Sequence, residues 1–324
     1  MRLRNYLYDA GLRPAASFDI PLIAVGNLAA GGTGKTPMTE YLIRLLLPHT
    51  KPAVLSRGYG RKTRGLLFAS PEAEPADLGD EPLQIYKKFQ VPVAVCEDRV
   101  YAIPHILRLH AGVGAIILDD AFQHRRLKAG LYVLLTDYAR LFYHDYLLPA
   151  GRLRERREGA RRAQVVVVTK CPEHLAEAEM EKIKKAIGRY TPAPVFFSYL
   201  KYGDPTPLHG TAAVPAGKIA VVTGIAYPET LLKWARERFD VVRHFHFPDH
   251  YVYTAADLNK LKRYLEQQNG QVSILTTEKD AVKLSSLNGA AGLPIFVLPV
   301  QIDFLKNGKE FDNLVLNYAL GPVK

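Results

Sequence analysis

Eight consecutive residues, Ala29-Ala30-Gly31-Gly32-Thr33-Gly34-Lys35-Thr36, combine a pliable backbone, a cation and a hydroxyl at the spacing a triphosphate requires. Glycines let successive N–H groups turn inward toward phosphate oxygens, Lys35 adds positive charge, and Thr36 offers its hydroxyl to Mg²⁺. The usual phosphate-loop pattern starts on glycine, and Ala29 stands there, so Gly31 and Gly32 are expected to supply the flexibility. The bland alternative is a glycine-rich turn that binds nothing; the strand before it and the helix after it weigh against that.

Carboxylates suited to a metal occur at Asp119-Asp120, directly after the apolar run Ala115-Ile116-Ile117-Leu118. Acid at the end of such a strand places a negative charge near nucleotide-bound Mg²⁺, although paired aspartates also start turns or cap helices. In Gly79-Asp80-Glu81-Pro82 the residues alone favour a plain reading, with Asp80 as a helix cap and Glu81 as a first-turn acid. Six arginines between Arg152 and Arg162 suit either phosphate binding or a solvated face. His244 and His246 would share one face of a strand, with His250 beyond it, and no carboxylate or cysteine completes a zinc-like set. Thr169-Lys170-Cys171-Pro172 superficially matches a guanine-reading motif but has proline where the base-pairing carboxylate belongs, so ATP is expected over GTP.

The elements that must position these groups alternate. Strands are predicted at 22–25, 53–55, 91–95, 115–118, 132–136, 165–169 and 195–198, with helices at 37–47, 82–89, 100–110 and 173–190. Such alternation builds a mainly parallel sheet covered on both faces, with ligands beyond the strands' carboxyl ends. The Pro- and Gly-rich stretch 201–217 reads as a linker. A second alternation from 219 to 298 reads as a smaller α/β/α domain. The expected division is therefore 1–205 for a P-loop NTPase-like α/β domain and 206–324 for the second. Before the first strand, residues 1–19 mix apolar and basic side chains, as a short amphipathic helix does.

With 324 residues, 48% hydrophobic and 23% charged, the chain has enough material for two cored domains without metal or disulfide staples. Two cysteines far apart, Cys96 and Cys171, fit a reducing compartment. No apolar run reaches the roughly 18 residues of a spanning helix. A net charge of +11 implies an anionic partner. Aromatic residues are not interleaved with the basic clusters, which argues against nucleic acid.

Taken in order, V-G-N-L-A-A-G-G-T-G-K-T-P, L-S-R-G-Y-G-R-K, G-D-E-P, D-D-A-F-Q-H-R, L-L-P-A-G-R-L-R-E, F-P-D-H-Y and T-T-E-K-D resemble the tetraacyldisaccharide 4′-kinase family of lipid A biosynthesis, from about Arg4 to Leu298. The resemblance implies transfer of the γ-phosphate of ATP to the 4′-hydroxyl of a tetraacylated glucosamine disaccharide 1-phosphate, giving lipid IVA. It further implies a peripheral enzyme on the anionic cytoplasmic face of the bacterial inner membrane. Carried over, Lys35 and Thr36 hold phosphate and Mg²⁺, Asp119 and Asp120 lie at the metal and nucleotide, and Glu81 joins that acidic group. Asp80 becomes the catalytic base, assisted by His250 from the second domain, while Asn27, Gln123, His124, Arg154 and Glu155 line the site. Ala121 stands where the family commonly has glycine. Members also usually carry an apolar helix ahead of the segment matching Arg4 to Asp9. A competing expectation is a nucleotide-switched P-loop protein of the assembly or metallochaperone type, which would need metal-ligand spacing or a dimerisation signal.

Overall fold

The computed structural model describes residues 2–210, 215 and 217–321. Helix α1 (Arg2–Asp9) precedes strand β1 (Leu22–Asn27), in which every residue is buried. Ile23 and Val25 face one side and Leu22 and Ala24 the other, which is why the strand reads as an unbroken apolar run. The next helix, α2 (Lys35–Leu46), lays Met38, Leu42, Ile43 and Leu46 on the Ile23 side. Then follow β2 (Lys51–Ser56), β3 (Leu67–Phe68), the single turn α3 (Pro75–Leu78), α4 (Asp80–Phe89), β4 (Val93–Val95), α5 (Arg99–Leu109) and β5 (Val113–Leu118). After them come β6 (Leu131–Asp137), β7 (Val165–Thr169), α6 (Glu177–Ile187) and β8 (Val195–Tyr202). Helices α5 and α6 cover the face opposite α2 through Ile103 and Ile106, and through Ile183 and Ile187.

The second unit contains β9 (Thr206–Pro207), β10 (Lys218–Thr223), α7 (Glu229–Arg236), β11 (Asp240–His246), α8 (Ala255–Gln267), β12 (Val272–Thr277), α9 (Glu278–Leu284) and β13 (Ile295–Leu298). Its sheet runs β11-β10-β12-β13-β9, parallel except for the edge strand β9, which lies inside the stretch expected to be a linker. Residues 211–214 and 216 of that stretch lie outside the described residues. The chain then returns. Strand β14 (Val300–Phe304) pairs antiparallel with β8, and α10 (Gly308–Leu320) packs Phe311, Val315 and Ala319 beside α2.

This return corrects the expected boundary. Assigning all of 206–324 to the second domain takes residues 300–320 from a sheet they complete, of order β14-β8-β7-β6-β1-β5-β2-β4-β3. Tyr318 Oη accepts from Leu22 N at 3.0 Å and donates to Leu22 O at 3.2 Å, tying α10 to the first residue of β1. Between the edge strands β3 and β14 the sheet is parallel, and β1 lies at its centre between β5 and β6. Motif-bearing loops therefore leave neighbouring strands at the same, carboxyl, end.

Candidate active site

Left-handed backbone is required in the phosphate loop at Gly31 (φ 114°) and Gly34 (φ 82°), and not at Ala29, so alanine costs nothing at the position where the usual pattern has glycine. Ala29 is instead bridged to Leu153, and Ala30 N donates to Arg152 O at 2.7 Å, which ties the loop to the arginine-rich segment. On the other side Thr169 Oγ1 donates to Thr33 O at 2.9 Å, and Lys170 bonds Gly32 O and, at 2.9 Å, Asp137 Oδ2. Gly34 caps α2, which starts at Lys35 with Thr36 next, so both side chains sit on the positive end of a three-turn helix. Tyr227, from the loop before α7, reaches this rim: its hydroxyl bonds Arg152 and its ring lies 5.5 Å from Lys170 Nζ.

Beside the loop, β5 delivers Asp119 and Asp120. Asp119 is fully buried; Ser56 Oγ donates to its Oδ2 at 3.0 Å, while its Oδ1 has no hydrogen-bond partner among the described residues. Burial, with the nearby charges of Glu81 and Asp120, pushes its carboxyl up to about 6. Asp120 behaves oppositely. Burial works against its charge, yet Lys35 at 3.9 Å and a two-pronged bond from Arg154 (2.9 and 3.2 Å) hold it below the usual carboxylate range. Asp120, not Ala121, takes positive φ (45°), so alanine is tolerated where the family commonly has glycine.

Of the other residues expected to line the site, Asn27 bonds Arg154 through its side chain and accepts from Gln123 Nε2 on its carbonyl at 2.7 Å. Glu155 lies beneath, 3% exposed, its carboxylate occupied by Asn5, Gln123 and Arg162. It braces the lining rather than presenting an oxygen to the phosphate loop. His124 is pushed down to about 4 by burial and by the neighbouring Arg99 guanidinium, which keeps it neutral. The arginine cluster is largely committed inward. Arg154 holds Asp120, Arg157 bonds Asp145 O and Arg162 bonds Glu155, which leaves Arg156 and Arg161 exposed.

Asp80 is not the helix cap that the residues alone suggested: Gly79 holds that position and Asp80 is the first residue of α4. One oxygen accepts Glu81 N–H at 3.1 Å, and Oδ2 lies 3.2 Å from His250 Nδ1. The backbone at Gly79 (φ 90°) makes this possible, because a Cβ there would stand 2.7 Å from Tyr59 O. Burial disfavours the charge on Asp80; the bond from His250 and the ammonium groups of Lys279 and Lys283, each 3.9 Å away, outweigh it and lower its pKa. The Tyr59 ring packs against His250 at 4.9 Å between centroids. His250 is thereby separated in role from His244 and His246, which stack on each other at 5.4 Å. Lys279 is a residue that motif reasoning left without a role. It stands in the first turn of α9, capped by Thr277, and α9 lies against α4 with Val282 packed on Leu83. Its Nζ is 3.5 Å from Glu81, so the second unit's charge reaches the acidic set at the phosphate loop.

The donor set fits Mg²⁺. An orphaned buried carboxylate oxygen at Asp119, with Asp120 and Glu81 beside it, is hard oxygen chemistry. Among the described residues no three acidic, histidine or cysteine side chains converge into a complete cage, which suits an ion that takes one or two carboxylates plus phosphate oxygens.

The family model for Tetraacyldisaccharide-1-P 4′-kinase matches residues 1–319. The tetraacyldisaccharide 4′-kinase of Flavobacterium psychrophilum is 43% identical, the match covering 98% of this chain and 92% of that protein. The Cytophaga hutchinsonii enzyme of the same name is 41% identical over 97% of this chain and 90% of its own length. LpxK from Aquifex aeolicus, crystallised in complex with ATP, aligns with a TM-score of 0.75 at 27% identity, covering 98% of this chain and 94% of that one. The motifs, the strand-end geometry and these matches agree, and the chain belongs to the tetraacyldisaccharide-1-phosphate 4′-kinase family.

Proposed function

We propose that the protein transfers the γ-phosphoryl group of ATP to the 4′-hydroxyl of a tetraacylated glucosamine disaccharide 1-phosphate, with Asp80 as the proton acceptor. The observation that carries this reading is the 3.2 Å contact between Asp80 and His250, which joins a carboxylate of the phosphate-loop domain to a histidine of the second. Lys35 and the N–H groups of the loop neutralise the migrating phosphoryl group, and Thr36, Asp119, Asp120 and Glu81 would hold Mg²⁺. When bound, that ion draws charge from the phosphate oxygens. The sugar oxygen bonds to the γ-phosphorus as the bond to the bridging oxygen of ADP breaks, and the hydroxyl proton passes to Asp80. A carboxylate held below its usual range is a weak base. It suffices because a loose phosphoryl-transfer transition state needs little deprotonation of the nucleophile.

Tetraacyl chains keep the acceptor in a bilayer, so the enzyme works as a peripheral protein on the anionic cytoplasmic face of the inner membrane. Among the described residues no helix is long and apolar enough to cross one. The test is phosphate transfer from γ-labelled ATP to the acylated disaccharide phosphate in mixed micelles. Lys35→Ala should lower turnover about 10²-fold or more, and Asp80→Asn should do so while ATP binding persists. ATP hydrolysis that ignores the lipid acceptor would favour the nucleotide-switch reading instead.

A further inference from the structure

We propose that the groove between β11 and α8 is a second ligand site, one that takes a phosphate monoester carried on a small hydroxylated group. Strand β11 is an edge of its sheet and pairs with β10 alone among the described residues. Helix α8 buries Leu258, Leu261 and Leu265 against that sheet, while its Asn259, Lys260, Arg263 and Gln267 line, with Arg243 and Phe245 of β11, a cavity of about 450 Å³. That volume suits a small organic ligand. None of the residues lining it belongs to the phosphate loop, to the acidic set beside it or to the Asp80–His250 pair.

Three cations meet at this cavity and no carboxylate lines it. Arg243 lies 5.4 Å from the Phe245 centroid and 6.0 Å from that of Tyr264, and Lys260 stands over the same Phe245 ring at 5.9 Å. The rings hold the two cations in place, and two like charges on one phenyl repel each other. Other cations that lie over rings in this molecule also have an oxygen: Arg44 and Lys88 share Glu40, Arg162 has Glu155, Lys170 has Asp137 and Lys283 has Asp280. Among the described residues no hydrogen bond or ion pair engages Arg243, Lys260 or Arg263. Asp257, one turn before Lys260, spends its carboxylate on Thr254 and Tyr251 at the start of the helix. A phosphate dianion answers this arrangement, because it offsets more than one cation and meets guanidinium forks with two oxygens at a time. The amides of Asn259 and Gln267 donate and accept, as hydroxyls on the carrier require. A free glycerol or sugar phosphate and the phosphate headgroup of a lipid present this same chemistry.

Calorimetric titration of the full chain tests the site, with a non-hydrolysable ATP analogue and Mg²⁺ present to fill the phosphate loop. Glycerol 3-phosphate should bind saturably, and chloride at the same ionic strength should not. Arg243→Gln, Lys260→Gln and Arg263→Gln should each raise its Kd about 5-fold, the upper range for an exposed charge pair, and the triple variant should show no saturable heat. Arg243→Lys, which keeps the charge and loses the fork, should fall between wild type and Arg243→Gln. The second arm replaces the probe with dihexanoyl phosphatidic acid, the same headgroup with short acyl chains. Binding tighter by about 10-fold or more, and still lost in the triple variant, assigns the site to a lipid headgroup, since the chains then bury apolar surface. Equal binding of the two probes assigns it to a free phosphate ester. Heats that chloride reproduces, or titrations that the triple variant leaves unchanged, would overturn the proposal.

Discussion

Asp119 keeps one carboxylate oxygen on Ser56 and leaves the other buried without a partner among the described residues, an arrangement that costs the metal-free protein stability and suits a cation. With its carboxyl raised to about 6 from an ordinary 3.8, the folded protein holds the proton between those pH values while the unfolded chain releases it. Metal-free stability therefore falls as pH rises through that window and levels off above it. Mg²⁺ binds the ionised form, so its effect on Tm should be larger at pH 8 than at pH 5. Asp119→Asn should raise the metal-free Tm at pH 8 while removing most of the response to Mg²⁺ and the activity. Calorimetry with and without the ion checks both, and an equal Mg²⁺ response at the two pH values would count against Asp119 as a ligand. Lys35, Thr36, Asp119 and Asp120 were legible in the sequence because each is tied to a local pattern of strand end and glycine turn. Lys279 was not, although its motif was visible, because its contacts with His250 and Glu81 lie across a gap that no local pattern describes. Glu155 was legible as a site position and not as a brace, since burial under Gln123 is a tertiary fact.

Helix α2 presents Lys35 and Thr36, and its far side is held by charge as well as by packing. Glu40, 1% exposed, accepts from Gln84 Nε2 at 2.7 Å and from Lys88 Nζ at 2.6 Å. Lys88 also reaches Glu278 at 2.5 Å, and Glu278 accepts Val300 N–H at 3.1 Å, so one lysine joins α2, α4, α9 and the start of β14. Burial raises the Glu40 carboxyl and Lys88 opposes the shift. Lys88→Met should therefore cost about 1–3 kcal/mol, because it takes from a buried acid its nearest cation and leaves it the Gln84 amide and the more distant Arg44 guanidinium at 3.6 Å. The loss should grow as pH rises above 4.5, where the unfolded chain ionises Glu40 and the folded protein resists doing so. Adding Glu40→Gln should recover part of it; urea unfolding of the wild type and the two variants at pH 5 and pH 8 decides. At this scale the strands were legible, since buried parallel strands are short apolar runs whatever their partners. The destination of β14 and α10 was not. Ile302 between Gln301 and Asp303, and Phe311, Val315 and Ala319 at helical spacing, are local signals, but pairing with β8 is settled only by the sheet edge that β8 leaves open.

The whole molecule carries a net charge of +11 and must reach an acceptor anchored by acyl chains. Much of the arginine cluster that suggested a membrane face is spent on internal bonds, which narrows the exposed cations there to Arg156 and Arg161. Earlier in the same segment the structure shows what composition does not: Tyr146, Leu147 and Leu148 are exposed by 65%, 43% and 58%, and Arg157 packs over the Tyr146 ring at 5.5 Å. This apolar tip belongs to the same folded loop as Leu153 and Arg154, and hence to the rim of the phosphate loop. On the peripheral reading proposed above, the exposed arginines and leucines of this segment would hold an anionic bilayer in two separable ways, by charge and by burial of apolar surface. In flotation with anionic liposomes, Arg156→Gln with Arg161→Gln should weaken binding about 30-fold at low salt, taking about 1 kcal/mol for each basic residue near the surface. The difference from wild type should shrink as salt rises. Leu147→Ser with Leu148→Ser should weaken binding by an amount that salt does not change, because apolar burial is not screened. Wild-type protein that stays with the soluble fraction at low salt would remove the peripheral-membrane reading. Binding lost in the arginine variant and untouched in the leucine variant would confine the attachment to charge.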